Sequence, residues 1–363
     1  MPGEKVKEYS KFPLAFPSPI AYNCLNKIKG GTIMFAFLFE PIRYFFAVFE
    51  SLVVTIGLLF NAGGQFAMPG DYLTQLNRAG IFDNRAQDAV PQTVVHDIVL
   101  EFFEGDHDGK TPKCLLIGYD GARADALTNT KDDPTAGTQL LKADGGGIYN
   151  MYTGGNWYEF NWQDTSTGPG WTTMLTGHWA KESGGAGHTI SNNGITKPLE
   201  PKLVFTELLD AGLAQKTSFI VSWGGHFTDE NASYKNDMAY CADKGYQAEW
   251  VTKPDDAGTF AATLAAVEEA DCADMVMCIL EYCDHEGHGN TFSNTEPKYV
   301  QAIKDSEKDA AELIAAVKAR ADYANEDWLI LITTDHGGVF TGHGPQFAVC
   351  RQIFLAANKP VLG

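Results

Sequence analysis

Apolar and polar positions are arranged differently in the two parts of this chain. From about residue 112 onward, short apolar runs recur at 113–119 (KCLLIGY), 217–223 (TSFIVSW), 273–282 (ADMVMCILEY), 327–334 (DWLILITT) and 351–357 (RQIFLAA). Runs this short, rich in Ile, Leu and Val, read as strands buried on both faces. Between them, residues 201–213, 257–270 and 296–323 carry helical patterns, the last Ala-rich with its charges on one face. Strands alternating with helices predict an α/β fold: a three-layer αβα sandwich around a mainly parallel central sheet.

The earlier part follows another pattern. Residues 32–64 are the most apolar stretch of the chain, interrupted by Glu40, Pro41, Arg43 and Glu50. Two readings compete: a buried helical hairpin broken at Pro41, and a membrane anchor with Lys27 and Lys29 before it on the cytoplasmic side. Residues 44–60 hold one charge in 17 positions, against the roughly 20 mostly apolar residues of a full span. The stretch starts too late for a signal peptide. The chain is therefore divided into an N-terminal segment, 1–100, and a domain carrying the chemistry, 101–363. Its localisation stays open between membrane-associated, through 32–64, and cytoplasmic.

Composition narrows the function. Hydrophobic residues make up 44% and charged residues 20% of the chain, which is globular. With 27 Lys and Arg against 46 Asp and Glu, the formal net charge is −19. Such a surface repels a phosphate backbone, so binding of nucleic acid duplexes is not expected. The seven cysteines include no CxxC pair, which argues against a disulfide framework and a zinc knuckle.

The strand ends carry the candidate chemistry. Run 113–119 ends in Asp120, run 273–282 leads into Asp284 and His288, and run 327–334 leads into Asp335, His336 and His343. Ligands of open α/β sheets bind at such ends. An Asp after a strand is by itself usually a turn or helix-capping residue. Six Asp and His at three strand ends point instead to metal, with a donor set that suits Zn²⁺, and Mn²⁺ or Fe²⁺ as alternatives. Residues 163–194 add an excess of Thr and Ser and a Gly-Pro-Gly turn before a short helix. A hydroxyl at a helix N-terminus is placed to hold an anion.

These elements, in the order DGAR, Thr-x-Pro with a following Thr-Gly, Asp-x-x-x-His, Asp-His-Gly and His-Gly, resemble the alkaline phosphatase superfamily. The branch they resemble is the nucleotide pyrophosphatase/phosphodiesterases, over about residues 112–360. The resemblance implies an alkaline-phosphatase-like catalytic domain. It also implies a nucleophile two residues before a Pro and ten before the Gly of Thr-Gly; this is Thr167 rather than Thr165 or Thr172. It implies one metal group of Asp284, His288 and His343 and another of Asp120, Thr167, Asp335 and His336. The counterpart of a phosphate-holding Asn is Asn193, with Asn192 in reserve. Sulfatases carry Arg four residues after the nucleophile; Trp171 stands there, which disfavours a sulfatase.

The reaction implied is hydrolysis of a small phosphate ester or nucleotide-like substrate by two Zn²⁺ and a phospho-threonine intermediate, with diester or pyrophosphate cleavage preferred to monoester cleavage. Three carboxylates against two divalent ions leave the pocket locally positive within an anionic protein, so an uncharged or zwitterionic leaving group suits it. Alternatives are a membrane-associated phosphoryl or phosphoethanolamine transferase and a phosphomonoesterase. A metal-stabilised binding protein without turnover would lack a ligand or the nucleophile, and neither is missing. Trp157, Trp162, Trp171 and Trp179 fit core packing better than stacking on a base or sugar. Oligomeric state is not legible.

Overall fold

The computed structural model describes residues 89–362 apart from 156–160, 162, 181, 183–186, 189, 193 and 196–201. Segment 32–64, with the choice between hairpin and anchor, lies outside the described residues. Among those described, no helix is long and apolar enough to cross a membrane.

The strands are β1 (Val90–Pro91), β2 (Thr111–Tyr119), β3 (Gly147–Tyr152), β4 (Ile190–Ser191), β5 (Gly194–Ile195), β6 (Lys216–Val221), β7 (Gln247–Thr252), β8 (Met275–Leu280), β9 (Glu326–Thr333) and β10 (Gln352–Ala357). Eight form one sheet in the order β1-β3-β10-β9-β2-β8-β6-β7, and β4 pairs with β5 in a small hairpin. Within the sheet, β10 runs antiparallel to both its neighbours, and every other pairing is parallel. All five strands expected from apolar runs are present. The run 273–282 is cut short at Leu280, because the Glu281 amide donates to Asp256 Oδ1 at 2.6 Å and a helix begins at Tyr282.

The α-helices among the described residues are α1 (Val94–Glu104), α2 (Gly137–Ala143), α3 (Thr167–Thr176), α4 (Val204–Asp210), α5 (Lys235–Lys244), α6 (Asp256–Glu268), α7 (Tyr282–Gly289), α8 (Pro297–Ala319) and α9 (Ala348–Arg351). The period-2 geometry of a strand splits its side chains between two cores. Cys114 and Leu116 of β2 join Val99 of α1, Met174 of α3 and Leu208 of α4 on one face. Leu115 and Ile117 join Leu141 of α2, Val267 of α6 and Leu313 of α8 on the other. A strand apolar at every position is what two such faces require, and each fully buried Leu or Ile contributes about 1.5–3 kcal/mol. Residue 100, where the sequence divides the chain, falls inside α1, whose Val95, Ile98, Val99 and Phe103 belong to the same core as the sheet.

Candidate metal centre and nucleophile

Parallel pairing brings together residues that are far apart in the sequence. Strands β9, β2 and β8 are neighbours running in one direction, so their carboxyl ends lie side by side. Asp120 follows β2, Asp335 follows β9, and α7 follows β8 carrying Asp284 and His288 one helical turn apart. The Asp120 amide donates to Leu280 O at 2.8 Å, and the Gly121 amide donates to Asp335 Oδ1 at 3.2 Å. Gly121 has φ +67°, and a Cβ on it would meet Asp284 Oδ1 at 2.9 Å. Only glycine lets β2 turn away so close to the next carboxylate.

Six of the expected ligands fall into two groups, Asp120 with Asp335 and His336, and Asp284 with His288 and His343; within each, one donor atom per residue lies within 4.8 Å of the others. In the first group, His336 Nε2 stands 3.5 Å from Asp120 Oδ1 and 3.4 Å from Asp335 Oδ2. In the second, His288 Nε2 is 3.4 Å from Asp284 Oδ2, and His343 Nε2 is 3.6 Å from Asp284 Oδ1. The two groups adjoin, since the His336 and His343 ring centroids are 4.2 Å apart. Backbone carbonyls can only accept. His336 Nδ1 must therefore donate to Gly337 O, and His288 Nδ1 to Thr341 O, each at 2.8 Å. Both Nε2 lone pairs are left facing the carboxylates.

Thr167 opens α3, and its Oγ1 lies 3.3 Å from Asp120 Oδ1 and 3.4 Å from His336 Nε2. The Gly-Pro-Gly expected as a turn before a helix is the first turn of α3 itself. Pro169 loses nothing there, because first-turn amides have no partner inside the helix. The rival hydroxyls are engaged elsewhere: Thr165 Oγ1 donates to Pro345 O at 2.9 Å, and Thr172 Oγ1 to Gly168 O at 2.7 Å. Asn192 Oδ1 accepts the Gly168 amide at 2.6 Å, while Asn193 lies outside the described residues. Trp157 and Trp162 lie outside them too, and Trp179 stacks on Tyr152 at 6.0 Å.

Several residues that hold the start of α3 carry no signal in the sequence. Gln163 Nε2 donates to Pro169 O at 3.1 Å, and Gln92 Nε2 donates to Gly170 O at 2.5 Å. His188 is buried, and burial lowers its pKa to about 3. Its Nδ1 accepts the Ile190 amide at 3.0 Å, so Nε2 carries the proton that Thr173 Oγ1 accepts at 2.9 Å. Thr173 Oγ1 donates in turn to Gln163 Oε1 at 3.0 Å. This chain of neutral bonds ties the start of α3 to the β4–β5 hairpin. A lone Gln or His in a loop has no pattern by which a sequence could reveal it.

The electrostatics fit cations. Burial, then repulsion from Asp335 and Asp284, pushes the Asp120 carboxyl well above the usual range. Burial does the same to Asp335 and raises Asp284, while it holds His336 and His343 below their ordinary values. Asp284 Oδ1 and Asp335 Oδ2 are buried without a hydrogen-bond donor. Three carboxylates converge on neutral imidazoles, with oxygens unpaired and nitrogen lone pairs aimed inward. Divalent cations satisfy that donor set of Asp oxygens and His nitrogens.

The type I phosphodiesterase / nucleotide pyrophosphatase family matches residues 114–346, more than half of the chain. Compared with curated protein sequences, the chain has no significant match. Among solved structures it is similar to murine ectonucleotide pyrophosphatase / phosphodiesterase 5, with TM-score 0.43 and 18% identity over 62% of this chain and 57% of that one. It is also similar to the zinc complex of the C-terminal periplasmic domain of EcEptC from Escherichia coli, with TM-score 0.41 and 13% identity over 69% of this chain and 74% of that one. A third is the alkaline phosphatase of the Antarctic bacterium TAB5, with TM-score 0.41 and 15% identity over 68% of this chain and 91% of that one.

Proposed function

The chain belongs to the type I phosphodiesterase / nucleotide pyrophosphatase family, and we propose that it hydrolyses phosphoric diester or pyrophosphate bonds of small, nucleotide-like substrates through a phospho-threonine formed on Thr167. The observation that carries this reading is the Thr167 hydroxyl, at a helix N-terminus between Asp120 Oδ1 and His336 Nε2. Asp120, Thr167, Asp335 and His336 would hold one divalent ion, zinc by donor type, and Asp284, His288 and His343 a second. Such ions, when bound, neutralise phosphate charge and make hydroxyl and water better nucleophiles.

The residues of the chain do the rest. Thr167 Oγ1 directs its proton at Asp120 Oδ1 and forms the bond to phosphorus, while the bond from phosphorus to the leaving oxygen breaks. Water then opens the phospho-threonine, releasing phosphate or a phosphomonoester and returning the hydroxyl. The N-terminus of α3 favours the negative phosphoryl oxygens by its dipole. Asn193 or, in reserve, Asn192 would hold a phosphoryl oxygen; Asn192 stands at the start of α3, where its Oδ1 accepts the Gly168 amide. The buried side chains of Asp335 and His336 keep bulk water from the nucleophile.

The experiment is Thr167→Ala, assayed with zinc on bis-p-nitrophenyl phosphate, p-nitrophenyl phosphate and a sulfate ester. Turnover of the diester should fall about 10³-fold or more, with the metal content unchanged. Acid quenching of the unaltered chain during turnover should leave a phosphorylated Thr167 in mass spectra. Activity that survives in Thr167→Ala but disappears in Thr172→Ala would mean that the nucleophile is misassigned.

A further inference from the structure

We infer that Trp171 is a positioning residue for Asp120, and that Gly118 exists to let it reach there. The inference rests on the reading of Asp120, Asp335 and His336 as a metal group. Trp171 is fully buried, and its indole N–H donates to Asp120 Oδ2 at 2.8 Å. The other carboxylate oxygen, Oδ1, is the one that faces Thr167 and His336. A carboxylate free to rotate could present either oxygen, or both, to an ion. With Oδ2 engaged by a donor that cannot accept, Asp120 offers one oxygen in one direction. Partners of this kind orient a ligand and set its basicity.

Gly118 supplies independent support. It sits within β2, paired with Thr333 of β9 and Ile279 of β8, where a glycine weakens a strand. A Cβ there would lie 2.4 Å from Trp171 Cη2 and 2.9 Å from Cζ2. The indole lies directly over the bare backbone two residues before Asp120. Two residues far apart in sequence therefore fit one another, and the outcome of the fit is a fixed carboxylate.

The test is zinc titration of the full, metal-stripped chain with a competing chelator, alongside melting temperature. Trp171→Phe keeps an aromatic ring and removes the N–H. One of the two zinc-binding steps should weaken by about 10–100-fold, with the other unchanged. In an Asp120→Ala background the same change should leave the remaining step where it was. Gly118→Ala, which displaces the ring, should weaken the same step, and it carries the test alone if Trp171→Phe does not fold. A lower melting temperature with both zinc steps intact would make Trp171 a core residue only and overturn the inference, as would equal weakening of both steps. An unaltered chain that takes up no zinc would overturn the metal reading itself.

Discussion

The two acid–imidazole groups share a chemistry and differ in access. Asp120, Asp335 and His336 are at most 1% exposed, beneath the first turn of α3. In the neighbouring group the His288 side chain is 45% exposed, Asp284 20% and His343 12%. The cause is topological. Asp120 and Asp335 leave adjacent strands at the middle of the sheet and are covered by α3, whereas Asp284 and His288 ride on the short helix α7, and His343 comes from a loop. On the proposed reading, the buried group would hold the nucleophile away from water and the open one would admit substrate and water. A site that must both exclude and admit solvent can be built by giving each task to one group.

The largest expected effect tests that division directly. Asp335→Ala should remove one ion by elemental analysis and almost all diesterase activity, because it strips the group that touches Thr167. His288→Ala should lower occupancy of the open group and leave the buried group filled. If either variant emptied both groups together, the two would form one cooperative unit and the division would fail. A smaller effect is expected from Asn193→Ala, which removes the proposed holder of a phosphoryl oxygen. A loss of about 10²-fold in turnover is typical for an anion-holding donor. Asn192→Ala, which removes a polar partner at the start of α3, serves as its control, and the reverse ranking would move the role to Asn192.

Legibility in the sequence followed the same physical division. The central strands were readable because burial on both faces makes every position apolar, as in β8 with MVMCIL. Strands β3 and β7, which lie toward the edges, give no such signal. Their exposed and half-buried positions interleave, so GIYNMY and QAEWVT present no apolar run. Helix α5 is polar over most of its surface and shows only Asp237 and Cys241 buried. The residues of the two acid–imidazole groups are legible because Asp and His at three strand ends, ordered as in a known family, are a dense signal. Trp171 fits a core position in the sequence and occupies one, but the bond from its indole N–H to Asp120 emerges only with the fold. Contacts made by single neutral donors, such as those of Gln92, Gln163 and His188, depend on positions that no local pattern encodes.

The smallest expected effect concerns two glycines, one beside each group. A Cβ on Gly170, in the first turn of α3, would meet Asp335 Cβ at 2.9 Å and Asp335 O at 3.0 Å. Neither the strand end nor the helix can retreat, since the Gly170 amide is bonded to Ser166 O at 2.8 Å and its carbonyl to Gln92. Gly170→Ala should therefore cost about 1–3 kcal/mol, as overpacking does. Gly289 ends α7 on the open side, and a Cβ there would meet nothing within 4 Å. Gly289→Ala should be neutral or stabilise by up to about 1 kcal/mol, because alanine loses less chain entropy on folding. Chemical denaturation of both variants, with and without zinc, measures the difference. Equal destabilisation by the two changes would show the open group to be as closely packed as the buried one, and solvent access would then need another route than the α7 side.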